Sequence, residues 1–327
     1  MKIGLTYDLR SEYLAQGYSE EDVAEFDSDE TLAALEASIR SLGHTTDRIG
    51  HARALCQRLS AGDRWELVFN IAEGMGGLFR ESQVPCLLEL YGIPYTFSDP
   101  YACAITLDKS MAKRIVLEAG LRTPAFHVVR SPSDVDTVRL PYPVFAKPLA
   151  EGTGKGVTSR SRADTPAALR EVCAELLTRY AQPVLVEEFL PGREFTVGLL
   201  GNGREARAIG TMEILVLDPT HRDIYSFETK ELCEKLIRYE TPSPGPLCEQ
   251  VEALALGAYR ALDCRDGARA DIRLDREGQP SFMEINPLPG LHPSHSDLPM
   301  IATRAGMTHA QLMGEIIGHA ARRAGIR

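Results

Sequence analysis

The stretch Gly267 to Asn286, GARADIRLDREGQPSFMEIN, constrains this chain more tightly than any other. Apolar and polar residues alternate on either side of the turn Asp275, Arg276, Glu277, Gly278 and Gln279, which predicts two short strands, Ala268 to Leu274 and Ser281 to Asn286. In a hairpin symmetric about Glu277 and Gly278, Asp271 lies opposite Glu284 and Arg269 opposite Asn286. Successive strand side chains point to opposite faces. Those four groups therefore share one face, while Ala270, Ile272, Leu274, Met283 and Ile285 share the other. Two carboxylates and an amide oxygen at this spacing suit a hard, oxygen-preferring cation, and Mg²⁺ bridging nucleotide phosphates is the commonest such case. The same pattern also fits an ordinary surface hairpin whose polar face is merely wet, so the rest of the chain has to decide.

At 327 residues, 44% hydrophobic and 25% charged, the chain can form two or three compact lobes and does not have the composition of a disordered one. Its formal net charge of -10, from 36 basic and 46 acidic side chains, argues against nucleic acid as a partner but leaves room for a local basic pocket for phosphates. The opening residues MKIGLTYDLRSEY meet charge within a few positions, and no apolar run approaches membrane-spanning length. A cytoplasmic protein with no membrane partner is expected. The seven cysteines (Cys56, Cys86, Cys103, Cys173, Cys233, Cys248 and Cys264) are odd in number and form no CxxC pair, so buried free thiols are expected over disulfides or zinc.

Lys2 to Tyr7 reads as a short apolar strand with no GxGxxG after it. Asp27 with Glu30 predicts a helix start, and Leu32, Leu35, Ile39 and Leu42 recur at helical spacing until Gly43. Trp65 to Ile71 reads as a buried strand followed by the glycine-rich AEGMGGLFRES, and Val84, Leu87, Leu88 and Tyr91 form a helix face. This alternation gives a first α/β lobe. A second unit opens at Asp108 and Lys109 with a helix ending at Gly120, then the strand PVFAKP, the loop Glu151 to Gly156 (EGTGKG) and a helix from Asp164 and Pro166. VLVEEFL and REFTVGLL read as neighbouring strands, with Gly201, Asn202 and Gly203 turning into a third. Residues 216 to 246 read as a long loop of the kind that is usually functional, and a helix from about Cys248 to Leu262 leads into the hairpin.

Lys147 ends an apolar strand, where a buried cation needs an anionic partner; a phosphate and a local carboxylate serve equally. EGTGKG can cover phosphates with backbone N–H groups or be a plain turn. It is not a Walker loop, because Leu149 stands at the first glycine position and Gly156 where Ser or Thr is required. Lys109 fits a solvated helix start as well as a ligand. His292 and His295 lie in a loop without a further histidine or cysteine, which favours a substrate contact or solvated rings over zinc.

In order along the chain, LDKSMAKRIVLEAGLRTPAF, PVFAKPLAEGTGKG, VLVEEFLPGREFTVGLLG, RDIYSFETKE, and GARADIRLD through MEINPLPGLHPSHSDLP together resemble the ATP-grasp superfamily, and within it the D-alanine–D-alanine ligase family. The resemblance implies an α/β ATP-grasp fold in three parts: an N-terminal α/β lobe over residues 1–104, a central lobe over 105–190 and a C-terminal lobe over 191–327, with nucleotide between the last two. It implies ATP and two Mg²⁺ ions, with Mn²⁺ able to substitute, and an ATP-dependent ligase that joins two small amino-acid-like substrates through an acyl phosphate. Position by position it implies nucleotide contacts from Lys109, Lys147, Gly152, Gly154, the segment Glu187, Glu188, Phe189 and Leu190, and the ribose-binding Glu194. It further implies metal ligation by Asp271, Glu284 and Asn286, and oxyanion stabilisation by Arg269. Lys230 matches a lysine of the loop over the nucleotide, Thr153 a hydroxyl of the phosphate loop, and Gly290 with Ser296 the region holding the second substrate's carboxylate. A homodimer follows only by analogy.

The first lobe departs from the family. The segment after the first strand is longer and lacks the family's glycines, so either Glu25 or Asp27 stands in for the glutamate that holds the first substrate's amine. Glu73, with Arg80 close by, replaces a histidine loop, and Glu231 occupies the place of a tyrosine. These changes leave ATP chemistry intact and imply a cationic or differently shaped amino acid in place of D-alanine. The alternatives are a specialised-metabolite ligase with a non-proteinogenic partner and a nucleotide-binding regulatory protein that has lost ligation.

Overall fold

The computed structural model of the chain describes residues 1–217 and 237–326. Strands β1 (Lys2–Thr6), β2 (Thr45–Gly50) and β3 (Leu67–Asn70) form a parallel sheet in the order β2-β1-β3. Parallel neighbours need crossovers, which the helices Asp29–Ser41 and Ala52–Ser60 supply. Leu32, Leu35 and Ile39 are fully buried against β1 and β3, and the helix His309–Arg323 closes the same core with Leu312, Met313 and Ile316. The expected helix start shifts by one residue. Ser28, not Asp27, is the cap: its hydroxyl accepts the Thr31 N–H at 3.1 Å. Either residue type can cap, and a cap at Ser28 leaves the Asp27 carboxylate for the cavity described below.

Strands β4 (Phe126–Val129), β5 (Val144–Pro148), β6 (Arg162–Ala163) and β7 (Val184–Glu188) form an antiparallel sheet in the order β4-β7-β5-β6, covered by the helix Pro166–Tyr180. Strands β8 (Glu194–Leu200), β9 (Arg207–Val216), β10 (Ile237–Glu240), β11 (Gly267–Leu274) and β12 (Pro280–Asn286) form the third sheet, in the order β10-β9-β8-β11-β12. The segments VLVEEFL and REFTVGLL, read from sequence as neighbours, therefore fall in different sheets. Pro191 cannot donate to a ladder, and Gly192 approaches β11 so closely that a Cβ there would lie 2.6 Å from the Leu274 oxygen. The chain crosses between sheets at this point. The long loop expected over 216–246 is interrupted by β10, which pairs Ile237 with Val216 and Glu240 with Glu213; residues 218–236 lie outside the described residues.

The hairpin of β11 and β12 has the expected pairs, Arg269 with Asn286 and Asp271 with Glu284. Beyond Asp271 the register shifts, so that Ile272 faces Phe282 and Met283 is left over as a bulge. Met283 thereby leaves the apolar face, where sequence alternation placed it, and Phe282 enters the core with Ala268, Ala270, Ile272 and Ile285. The helices Pro100–Leu107 and Lys109–Glu118 contribute Ile105, Ala112 and Val116 to this core. Six cysteines are free thiols: Cys103, Cys173 and Cys264 are buried as expected, Cys248 is intermediate, and Cys56 and Cys86 are exposed. Cys233 lies outside the described residues. Among the described residues no helix is long and apolar enough to cross a membrane.

Because Phe282 is 0% exposed, Phe282→Ala should lower the unfolding free energy by about 3–5 kcal/mol, read from the urea midpoint. An unchanged midpoint would place that side chain outside the core.

Candidate active site

Two cavities open on the polar face of the hairpin. The smaller, about 90 Å³, lies between the antiparallel four-stranded sheet and the hairpin, and is lined by Phe145, Lys147, Gly154, Val157, Glu194, Asp271, Arg273 and Met283 among others. The larger, about 390 Å³, extends towards the parallel sheet and includes Glu25, Asp27, Glu73, Glu81, Thr153, Arg269, Asn286, Gly290 and Ser296. They meet at Lys109, Glu151 and Glu284, which line both.

Strand geometry places the cations. Lys147 is next to last in β5 and its Nζ lies 3.3 Å from Glu187 and 3.4 Å from Glu284. Lys109 begins the helix Lys109–Glu118, capped by the Asp108 carboxylate; its Nζ donates to the Glu151 oxygen and lies 3.8 Å from Glu284. One turn further, Lys113 is fully buried 2.6 Å from Glu187, which is itself fully buried. Burial alone would raise the Glu187 carboxyl, but Lys113 and Lys147 outweigh it and hold the group below its usual range. Burial lowers Lys113 to about 8 against the opposing pull of Glu187. Burial likewise lowers Lys109, whereas for Lys147 the two carboxylates win and the ammonium is held above its usual range.

On β11, Arg269 forms ion pairs with Asp271 and, through Nε at 3.4 Å, with Asp297. Asp271 Oδ1 is buried and accepts no hydrogen bond. An orphaned carboxylate oxygen opposite Glu284, with Asn286 on the same face, is a donor set that fits a hard divalent cation whose remaining positions go to phosphate oxygens and water. Among the described residues no group of three or more His, Cys, Asp or Glu side chains forms a self-sufficient metal cage. Asn286 Oδ1 also accepts the Leu288 N–H at 3.0 Å. Glu194, at the start of β8, pairs with Arg273 at 3.2 Å.

Glu25, which lines the larger cavity, is held by Arg80, which does not: Arg80 Nη2 donates to it at 2.8 and 3.1 Å while Nη1 donates to the Ala150 oxygen at 2.9 Å. Burial pushes Glu25 up, yet Arg80, Lys155 and Lys109 together hold it below the usual carboxylate range. Glu25 also presses on the phosphate-loop candidate: a Cβ at Gly152 would lie 2.0 Å from its Oε1. Thr153 adopts a left-handed φ of 53°, and Gly154 follows at 73°. Gly290 is equally confined, since a Cβ would lie 2.7 Å from Ser296 Oγ, which accepts the His292 N–H. The rings of His292 and His295 are 4.6 Å apart, and His292 Nε2 lies 3.7 Å from Glu30.

The structure thus gathers Lys109, Lys147, Gly154, Glu194, Asp271 and Glu284 around one cavity, and Glu25, Glu73, Thr153, Arg269, Asn286, Gly290 and Ser296 around the other. Glu187 and Glu188 end β7 and Phe189 and Leu190 follow it, and none of the four is among the described walls of either. Lys230 and Glu231 lie outside the described residues. Sequence reasoning missed Lys113, Arg273 and Glu81. The first two had signals: Lys113 is one helical turn after Lys109, and Arg273 shares the strand face of Asp271. Glu81 had none, because its direction depends on the turn Arg80–Ser82.

Comparison with known proteins places this geometry among relatives. The family described as "D-ala D-ala ligase C-terminus" matches residues 115–318. The D-alanine–D-alanine ligase of Bordetella avium is 38% identical over 266 residues, covering 78% of this chain and 78% of the relative. A protein of Sinorhizobium fredii named only "Uncharacterized protein y4sG" is 36% identical over 259 residues, covering 79% and 75%. The solved structure of the D-alanine–D-alanine ligase from Bacillus anthracis complexed with ATP superposes with a TM-score of 0.75 at 21% identity, covering 99% of both chains; this shows a shared fold.

Burial holds the Glu81 carboxyl up at about 7, against 4.5 when exposed, so the folded chain binds an extra proton between those values. That contribution to stability is present below about pH 4.5 and is lost as pH rises through 7. Relative to the parent, Glu81→Gln should therefore gain stability between pH 5 and pH 8, on the order of 1–3 kcal/mol, in urea denaturation. An equal difference at both pH values would mean that Glu81 does not titrate there.

Proposed function

As a member of the D-alanine–D-alanine ligase family, the chain is a carbon–nitrogen-bond-forming ligase of ATP-grasp fold, and we propose that it joins two small amino-acid-like molecules at the expense of ATP. The observation that carries this reading is the junction of the two cavities at Lys109, Glu151 and Glu284, with Arg269 beside it. A nucleotide tail in the smaller cavity and a carboxylate in the larger one meet there.

A carboxylate is a poor acyl donor. In the proposed reaction its oxygen attacks the γ-phosphorus of ATP, the bond to the β–γ bridging oxygen breaks, and ADP leaves. The amine nitrogen of the second substrate then attacks the acyl phosphate carbon, phosphate departs, and the amine gives up a proton. Such phosphoryl transfer depends chiefly on positioning and charge neutralisation. Lys147, held by Glu187 and Glu284, and Lys109 present two cations to the phosphates. The backbone of Gly152, Thr153 and Gly154 covers them, Glu194 faces the ribose hydroxyls, and Glu187 to Leu190 borders the adenine. Asp271, Glu284 and Asn286 would hold two Mg²⁺ ions, or Mn²⁺, which when bound neutralise charge on the phosphates. Arg269, already beside Asp271, stabilises the oxyanion formed as the amine attacks. Gly290 and Ser296 bound the second substrate's carboxylate, Lys230 and Glu231 belong to the covering loop, and a homodimer completes the reading by analogy.

The relatives' names make D-alanine the reference substrate, but the acidic lining of the larger cavity supports a different first substrate. A regulatory protein without ligation is not favoured, since it would have no use for Arg269 at the junction. Phosphate release from ATP should rise on adding a suitable pair of amino acids, and Arg269→Ala should cut that rate about 100 to 1,000 fold while nucleotide binding, read by displacement of a fluorescent analogue, persists. Undiminished turnover in the variant would remove Arg269 from the mechanism. No amino-acid-dependent release by the parent enzyme, across paired D- and L-amino acids, would overturn the ligase reading itself.

A further inference from the structure

The larger cavity is lined by more carboxyl groups on its Asp27 and Glu73 side than an ordinary amino acid can answer. Asp27, Glu73 and Glu81 line it together with Glu25. Glu25 is already satisfied by Arg80 at 2.8 Å and by Lys155 at 3.7 Å. The other three are not. Among the described residues no Lys or Arg nitrogen forms an ion pair with Asp27 or Glu73, and Arg80 reaches Glu81 only at 3.9 Å. Glu81 is 7% exposed, and its Oε2 is buried without a hydrogen-bond partner. A buried carboxylate oxygen left in this way costs free energy, and a ligand that donates to it recovers that cost.

We propose that the first, acyl-donating substrate is an amino acid with a second cationic group in its side chain, received by Asp27, Glu73 and Glu81. The inference rests on the ligase reading above and specifies the substrate of that site. The donor's carboxylate has to lie at the junction near Glu284 and Lys109, so its ammonium and side chain extend towards the acidic end. One ammonium answers one carboxylate. A zwitterionic amino acid such as alanine brings no net charge and leaves two of the three carboxyl groups unanswered. A diamino acid brings a further positive charge to that end. The volume of about 390 Å³ falls in the range of roughly 300–1,000 Å³ common for small-molecule sites, so a longer side chain fits. Without a cation beside them these carboxyl groups are costly to ionise: burial raises Asp27 and Glu81 to about 7 each and, with the neighbouring Glu81 and Glu25, raises Glu73 as well, so a cationic group placed among them would favour their charged forms.

The test is phosphate release by the full-length enzyme with ATP and Mg²⁺, using as donors both enantiomers of lysine, ornithine and 2,4-diaminobutyrate against those of alanine and serine, with product masses identifying the donor. A basic donor should exceed alanine and serine in kcat/KM by 100-fold or more. Glu81→Gln should raise KM for the basic donor at least tenfold, with Glu73→Gln as the second variant should the first fail to fold; an unchanged KM in a folded variant would overturn the assignment of these carboxyl groups. Equal or better turnover of alanine overturns the proposal. So does turnover of serine at the level of the basic donors, which would mean that the carboxyl groups are protonated and donate to a hydroxyl. Neutral donors working while basic ones fail would sink this inference alone, whereas silence with every donor would sink the ligase reading with it.

Discussion

Asp271 faces Glu284 across β11 and β12, and the site is built outward from that one pairing. A strand shifted by a single residue would turn its polar set into the core and its apolar set towards solvent. Here the register is held from both sides. β8 pairs with β11 from Gly267 to Arg273, and the buried face carries Ala268, Ala270 and Ile272 into a core where an unpaired polar group would be costly. The bulge at Met283 keeps Asp271 opposite Glu284 while letting Phe282 reach the core, so one extra residue reconciles a packed face with a functional one.

Around that ribbon the cations are fixed by carboxylates that never leave the protein. Lys113, Glu187 and Lys147 form a buried triad, and Glu284 extends it to the cavity junction. Buried ion pairs contribute little net stability, because desolvation offsets their attraction. Their effect here is geometric: Lys147 is aimed before any phosphate arrives, and less reorganisation is needed when one does. Lys113 lies on the same helix as Lys109, one turn along, so a single short element aligns a site cation with the residue that supports the other.

Much of this was legible in the chain because it depends on local periodicity. The strand alternation in GARADIRLD and MEIN placed Arg269, Asp271, Glu284 and Asn286 on one face, and PVFAKP put Lys147 at a strand end. What could not be read depends on contacts between distant segments. The crossing from β7 to β8 into another sheet rests on Gly192 packing against Leu274, and the burial of Glu187 rests on a lysine from a separate helix. The capping shift from Asp27 to Ser28 is a choice between two residues of similar propensity that tertiary structure makes. The acidic side of the larger cavity joins residues from two separate connections, Glu25 and Asp27 from one and Glu73 and Glu81 from the other, and no pattern within either signals the convergence.

The central claim is that the ribbon's acidic face and the tail of a nucleotide grip divalent ions between them. It is tested most directly by anomalous diffraction from crystals grown with Mn²⁺ and a non-hydrolysable ATP analogue. The account predicts Mn²⁺ peaks within coordination distance of Asp271, Glu284 and Asn286, with the triphosphate reaching Lys147. A triphosphate bound elsewhere, or a nucleotide in the smaller cavity with no ion on that face, would contradict it.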